Sequence, residues 1–548
     1  MDRLRDDFAS IAQGKAQDTA VVVSSIEKAG EEFLEAMENA TSVLVTNETL
    51  LATRACGIFT SAIADASSPI IARTVALECA AGASIASRDV LGSFVTLGVL
   101  PLALDLLRAK ESSMRVKLAA LRLCRTTAKA GPVFTRCLVA CGALPILVGV
   151  LDYGFSGNGR ELTKYALGAI YVAAEIERGD QLPKQLGQTV SLALARADMF
   201  PKLVSLLGAT HTASLEDESL DASVQDDETR SEGGSSFTGS MGGTGSIGGT
   251  SSMSRPRGVS SSGKYYRELV AETLYRIAKR GEGCAEVSAA LVDIRIIHGV
   301  LAQLSVVPRS TATKILGLIH LLSRETAALE VLQNAGAIPK LVKCLEGSYK
   351  IGGAGGRNGE ISLRALHNLC AVNKERQEQA AMAGLIPILV QIVDTSMRTS
   401  ADGSPVPQAL TLAVPLLCAM ASTSRKTRES LEKHGALDAY VTLASVSSGW
   451  TLSALDAIGS WLAIEPWKVE ARLLESDAIS SLVEALEEST SQANVLEALL
   501  NLIGKSPRLC QALANEGFIP PLMDAITDVN TKPTIRLTLL KTLGVLHE

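Results

Sequence analysis

The residues best spaced for chemistry lie mid-chain. Gly258-Val-Ser-Ser-Ser-Gly263-Lys264-Tyr265 has the glycine and lysine spacing of a phosphate-binding loop. Such a loop needs a strand before it and a Ser or Thr after the lysine to reach magnesium. Tyr265 stands in that place and no strand pattern precedes it, so the segment reads as a flexible linker. Gly352-Gly-Ala-Gly-Gly356 also lacks a preceding strand and reads as a solvated loop. No Gly-x-Ser-x-Gly, His-Glu-x-x-His, His-Arg-Asp or Asp-Phe-Gly occurs. His298, His320, His367 and His434 fall in different parts of the chain without partners. Cys56, Cys79, Cys124, Cys137, Cys141, Cys284, Cys344, Cys370, Cys418 and Cys510 sit mostly inside apolar helical patterns. They read as buried thiols of a reducing compartment, cytoplasm or nucleus. Cys137 and Cys141 can share a helix face, but no second pair completes zinc spacing. The expectation is a chain without catalytic residues, metal or cofactor.

What must position any functional residue is a long-period repeat. A small residue, two apolar residues, often Pro, and an apolar run recur as Gly98-Val-Leu-Pro101, Gly142-Ala-Leu-Pro145, Asp198-Met-Phe-Pro201, Gly336-Ala-Ile-Pro339, Gly384-Leu-Ile-Pro387 and Gly517-Phe-Ile-Pro520. Weaker copies begin at Asp293, Gly435 and Asp477. The spacings are 44, 56, 95, 43, 48, 51, 42 and 40 residues. A unit of about 40–47 residues with helical periodicity means armadillo or HEAT helices. Asn373, Ser424 and Ser506-Pro507 supply start signals for a short extra helix per unit, and three helices favour armadillo. The fold expected is all-α, an armadillo-type right-handed superhelical solenoid of about nine or more three-helix repeats. The low aromatic content, 4% against 47% hydrophobic residues, agrees with an Ala/Leu/Ile/Val helical core.

Four parts follow. Residues 1–90 read as degenerate repeats or an N-terminal cap, with helices expected over 25–40, 49–64 and 71–81. Residues 91–207 and 264–548 are repeats. Residues 208–263, acidic from Glu216 to Glu228 and then Gly/Ser-rich, form a linker expected to be disordered and open to phosphorylation at Ser231–Ser262. Shorter inserts at Asp152–Arg160, Gly347–Gly359 and Asp394–Pro407 are expected as loops on the same edge. With 52 basic and 58 acidic residues the net charge is −6, which argues against a general nucleic-acid binder. Val90–Leu107 is apolar but carries Asp105 and Pro101, so it reads as core and not as a membrane span. The start, Met-Asp-Arg-Leu-Arg-Asp-Asp, has no apolar signal core behind it.

Binding is the function left. In armadillo proteins, Asn on the last helix of each unit lines a groove, where an amide donates to and accepts from a peptide backbone. Asn368 and Asn501 fit that position, whereas Leu123 and Ala169 occupy its equivalents. Two rungs make a poor ladder for a nuclear-transport-type receptor of extended basic peptides.

Residues 361–545 go further than generic repeats. The ordered phrases are Asn368-Leu-Cys370, Asn373-Lys-Glu-Arg-Gln-Glu-Gln-Ala-Ala381, Ala413-Val-Pro-Leu-Leu-Cys418, Ser424-Arg-Lys-Thr-Arg428, His434-Gly-Ala-Leu-Asp438-Ala-Tyr440, Ala454-Leu-Asp-Ala-Ile458 with Trp461, and Arg536-Leu-Thr-Leu-Leu-Lys541. They resemble the C-terminal armadillo region of fungal septation-initiation kinases and of the plant epsilon class of mitogen-activated kinase kinase kinases. The resemblance implies targeting to division machinery, spindle-pole or cytoskeletal, and docking of a small GTPase. It implies a regulatory segment, since the kinase domain of those proteins has no counterpart here. The apolar helix Thr534–Glu548, with no polar unit after it, agrees with a fragment. Arg376, Arg425, Arg428, Tyr440, Trp450 and Trp461 are the expected partner anchors, because Arg and aromatics dominate interface energetics. Arg376 at a helix start and Trp461 in an apolar run also fit structural roles.

Overall fold

The corner that joins a short helix to its successor sets the architecture. In the computed structural model the described residues are 28, 47–65, 68, 70–109, 112–155, 157, 159–175, 181–209, 261–352, 356–400, 408–445, 449–489, 493–527 and 533–547. Among them every regular element is a helix, including one short 3₁₀ turn, Leu151–Tyr153. The all-α expectation holds. The expected helix at 25–40 and nearly all of the 208–263 linker lie outside the described residues.

At each corner the first residue of the recurring phrase has a positive φ: Gly98 at 82°, Gly142 at 72°, Gly336 at 72°, Gly384 at 92°, Gly435 at 67° and Gly517 at 91°. A Cβ at Gly384 would meet no atom within 4 Å. The glycine is therefore required by backbone conformation and not by space. Asp198 takes the same place with φ 58°, the one positive-φ residue other than glycine among the described residues. Asp tolerates that region better than most side chains. The corner turns Arg88–Thr96 into Val99–Arg108 by 75°, and Lys374–Met382 into Leu385–Arg398 by 86°. The prolines follow in the first turn of the new helix, where backbone N–H groups have no intrahelical acceptor. Two of the weaker copies differ, whereas Gly435 keeps the left-handed turn. Asp293 is an extended N-cap accepting from Arg295 N, and Asp477 lies in the first turn of Ser476–Ser489. These corners rely on carboxylate bonds in place of a left-handed residue.

The capping expectations are met. Asn373, Ser424 and Ser506 accept from Arg376 N, Thr427 N and Leu509 N, and Pro507 is the first residue of its helix. Two expected loops are partly helical: Ala337–Gly352 and Leu385–Ser400 run into them. Ser348, which is buried and donates to Cys344 O at 2.9 Å, continues the inward face of the first of these.

The chain divides into two compact units, Met1–Leu318 and Ile319–Glu548. In the second, groups of three helices follow one another, as in Lys374–Met382, Leu385–Ser400 and Gln408–Met420, then Arg425–Lys433, Ala436–Ser445 and Thr451–Leu462. Like helix packs on like. Gly356–Cys370 rests on Gln408–Met420, that on Thr451–Leu462, then Ala493–Ile503 and Pro533–His547. In the first unit Ile70–Ala86, Met114–Lys129, Gly159–Ala174 and Ser261–Arg280 form the corresponding series. The two apolar residues after most corners, such as Leu385 and Ile386, are fully buried, whereas Leu437 is half-buried and Ile519 is 37% exposed. Each such side chain contributes about 1.5–3 kcal/mol by leaving water. No single described helix is long and apolar enough to cross a membrane.

Gly384→Val should destabilise the chain by about 1–2 kcal/mol through left-handed backbone strain alone. Gly384→Asn should cost less. Urea unfolding midpoints check the order, and equal midpoints for all three chains would remove the corner's conformational role.

Candidate functional site

The corners fix where the expected anchors point. Asn368 lies on Gly356–Cys370 and its Nδ2 donates to Ser323 Oγ at 3.0 Å, tying its helix to an earlier segment. Arg376 donates from Nε to Gln333 Oε1 at 2.8 Å and from a terminal nitrogen to Leu369 O at 3.4 Å. Its charge thus meets one of the unpaired carbonyls that close a helix. Tyr440 is fully buried, and its hydroxyl donates to Leu417 O at 2.6 Å, again an end carbonyl, of Gln408–Met420. Burial pushes that phenol's pKa well above its ordinary range.

Trp461 is 1% exposed and Arg428 6%. Glu465 joins them. Its Oε2 accepts from Trp461 Nε1 at 3.2 Å, and its Oε1 lies 3.5 Å from Arg428 Nε. Arg428 also donates to Thr423 O at 3.2 Å. Tyr440, Trp461 and Arg428 are therefore corrected from surface anchors to interior ties, because an enclosed side chain has no area left for a partner. Trp450, just before Thr451–Leu462, is half-buried, with its indole N–H enclosed and without a hydrogen-bond acceptor among the described residues. Arg425 faces solvent, paired within its own helix to Glu429, and Asn501 is exposed.

Cys56, Cys79, Cys124, Cys370 and Cys510 are buried, and the other five cysteines are partly exposed. Desolvation pushes the thiols of Cys56, Cys124, Cys370 and Cys418 up to about 12, so thiolate is scarce near neutral pH. Among the described residues no three His, Cys, Asp or Glu gather as metal ligands do. Of the two glycine-rich segments, Gly263 and Lys264 fall in the first turn of Ser261–Arg280 and Gly352 ends Ala337–Gly352, while 258–260 and 353–355 lie outside the described residues.

Sequence reasoning missed a surface in the first unit. On its third helices, cations lie over tyrosine rings. Arg122 and Arg125 of Met114–Lys129 approach the Tyr165 ring at 5.3 and 5.9 Å. Arg276 of Ser261–Arg280 stands 4.1 Å over Tyr171. Lys279 and Lys314 approach Tyr275 at 5.9 and 5.8 Å. Lys117 reaches Tyr153, its Nζ donating to the hydroxyl at 3.1 Å. Small residues make room, since a Cβ at Gly317 would come within 2.7 Å of the Tyr275 ring. At the centre, Arg276 bridges Glu175 at 2.7 Å and Glu272 at 2.9 Å, and Glu272 also meets Lys314. Burial alone would raise the Glu272 carboxyl, but Lys314 and Arg276 hold it below its ordinary value. One signal was available: six of the eight tyrosines fall between Tyr153 and Tyr275.

The described residues are all-helical, and the chain is similar in fold to the crystal structure of an engineered protein. The TM-score is 0.51 at 16% identity, over 92% of this chain and 100% of that one. At that identity the likeness concerns fold alone. No family model matches the chain. Its sequence relatives are more particular. It is 35% identical to MAP3K epsilon protein kinase 1 of Brassica napus over 287 residues, 52% of this chain and 21% of the relative. Cytokinesis protein sepH of Emericella nidulans is 32% identical over 256 residues, 45% of this chain and 18% of the relative. Cell division control protein 7 of Schizosaccharomyces pombe is 25% identical over 264 residues, 48% of this chain and 24% of the relative. The chain spans about a fifth of the length of these curated relatives. About half of it is thus related to kinase-related proteins of signalling and cell division, a longer stretch than the ordered phrases reach.

Glu465→Ala leaves the Arg428 charge enclosed and should destabilise by about 3 kcal/mol, read from urea midpoints. Trp461 fluorescence should change on the same substitution. For Glu272, a depressed folded pKa means its stabilisation is present above its ordinary value of 4.5 and lost as pH falls through the folded one. Glu272→Gln should therefore lower the melting temperature at pH 7 and converge with the parent as the pH falls below the folded pKa of Glu272. A constant difference across that range would contradict the ion-pair role.

Proposed function

We propose that the chain is a non-catalytic, armadillo-type interaction segment of a kinase-related protein, acting in signalling or cell-division control as a scaffold. The observation that carries the reading is the stacking of like helices in consecutive three-helix groups, in a chain half of which is related to kinases and cytokinesis proteins. A stack of this kind offers an extended surface to other proteins and needs no reactive group. The partner class implied by the resemblance is a small GTPase or a component of the division machinery. In the full-length relative the segment would be regulatory, with catalysis in a serine/threonine kinase domain elsewhere.

The alternative of a receptor for extended basic peptides is disfavoured by two observations. The Asn368 amide is engaged by Ser323, and the third helices of the first unit present cations. The test uses the purified chain as bait for GTP- and GDP-loaded small GTPases and for division-machinery proteins from an extract of dividing cells, with captured proteins identified. Selective capture of a GTP-loaded GTPase or a division component is expected, without nucleotide turnover by the chain itself. Micromolar binding of a nuclear-localisation peptide in a fluorescence titration, or turnover of ATP, would overturn the reading.

A further inference from the structure

We infer that the third-helix face of the first unit binds an extended acidic segment of a partner protein. This rests on the interaction-scaffold reading and names the chemistry of one docking surface.

The face pairs like charges on shared rings. Arg122 and Arg125 both approach Tyr165, and Lys279 and Lys314 both approach Tyr275. A ring face attracts each cation, but two cations on one ring repel each other. A carboxylate arriving from solvent relieves that repulsion by accepting from the exposed member of each pair, Arg122 or Lys279. Arg122 and Lys279 are exposed and have no carboxylate partner among the described residues. They are the cations left for an incoming anion. Arg276 and Lys314 are already engaged by Glu175 and Glu272, which hold the middle of the face rigid.

Geometry selects an extended chain. Neighbouring helices pack about 8–10 Å apart. Arg122 and Lys279 lie on helices with Gly159–Ala174 packed between them, and an extended strand advances about 3.3 Å per residue, so one acidic residue in about every six reaches from one cation to the other. Chemistry selects a peptide over a nucleic acid. Glu175 and Glu272 interrupt the cations, and a continuous phosphate backbone would meet them, whereas spaced carboxylates pass between.

The experiment is a fluorescence anisotropy titration of the full chain with labelled peptides. One carries Glu at every sixth position among Gly and Ser, a second has the same composition with Glu clustered, and a third replaces Glu by Lys. A single-stranded oligonucleotide is the fourth probe. The spaced acidic peptide should bind tightest, and more weakly as salt shortens the screening length. The double variant Arg122→Glu/Lys279→Glu should bind it at least about tenfold more weakly. Arg508→Glu, on an exposed site of the second unit, should leave binding unchanged. Circular dichroism establishes that each variant is folded, and Arg122→Ala/Lys279→Ala serves if charge reversal disturbs the fold. Undiminished binding by the folded double variant, or equal binding of the lysine peptide or the oligonucleotide, overturns the inference. A double variant that loses neither acidic peptide nor captured partner removes this face while the scaffold reading stands. Failure of the parent chain to capture any partner removes the scaffold reading itself.

Discussion

A backbone that must turn sharply between two apolar helices has few conformations available, and the left-handed residue at each corner is the one this chain uses. At Gly98, Gly142, Gly336, Gly384, Gly435 and Gly517 a single positive φ redirects the chain. The first residue that follows is thereby aimed into the core at every one, and the second also at Gly98, Gly142, Gly336 and Gly384. If that angle were free, Leu385 and Ile386 would not both reach the interior, and the next helix would not lie along its counterpart. The stacking of like on like is the corner repeated.

Much of this was legible because its causes are local. Corner, proline and cap lie within a few residues of one another, so Asn373, Ser424 and Ser506 could be read as helix starts, and each accepts the expected backbone N–H. What was not legible depends on residues from different groups. Glu465 reaches back 37 positions to Arg428, and Asn368 reaches back 45 to Ser323. Nothing in a single sequence gives the register between those positions. An Arg or Trp with interface chemistry is therefore indistinguishable from one that ties the interior until packing is known. The helical extensions to Gly352 and Ser400 failed for a similar reason, since glycine and polar residues suggested loops where a neighbouring surface sustains the helix.

The polar interior has a common logic. Tyr440 and Arg376 each donate to a carbonyl at the end of a helix, where no intrahelical partner exists. A chain of many short helices produces many such ends, and long side chains from adjacent groups satisfy them. In the first unit Arg73 does the same at Ile63 O, at the end of Asn47–Ala64, while the exposed Arg122 and Lys279 lie over tyrosine rings.

Because each helix rests on its counterpart one group away, the contacts that matter join residues some tens of positions apart, or about a hundred where residues 208–263 intervene, as from Glu175 to Arg276. Folding of either unit can start in any group and spread to its neighbours without waiting for the chain ends to meet. The same locality means that a chain still emerging from the ribosome can order its early groups before its later ones exist, so assembly proceeds as growth from a seed.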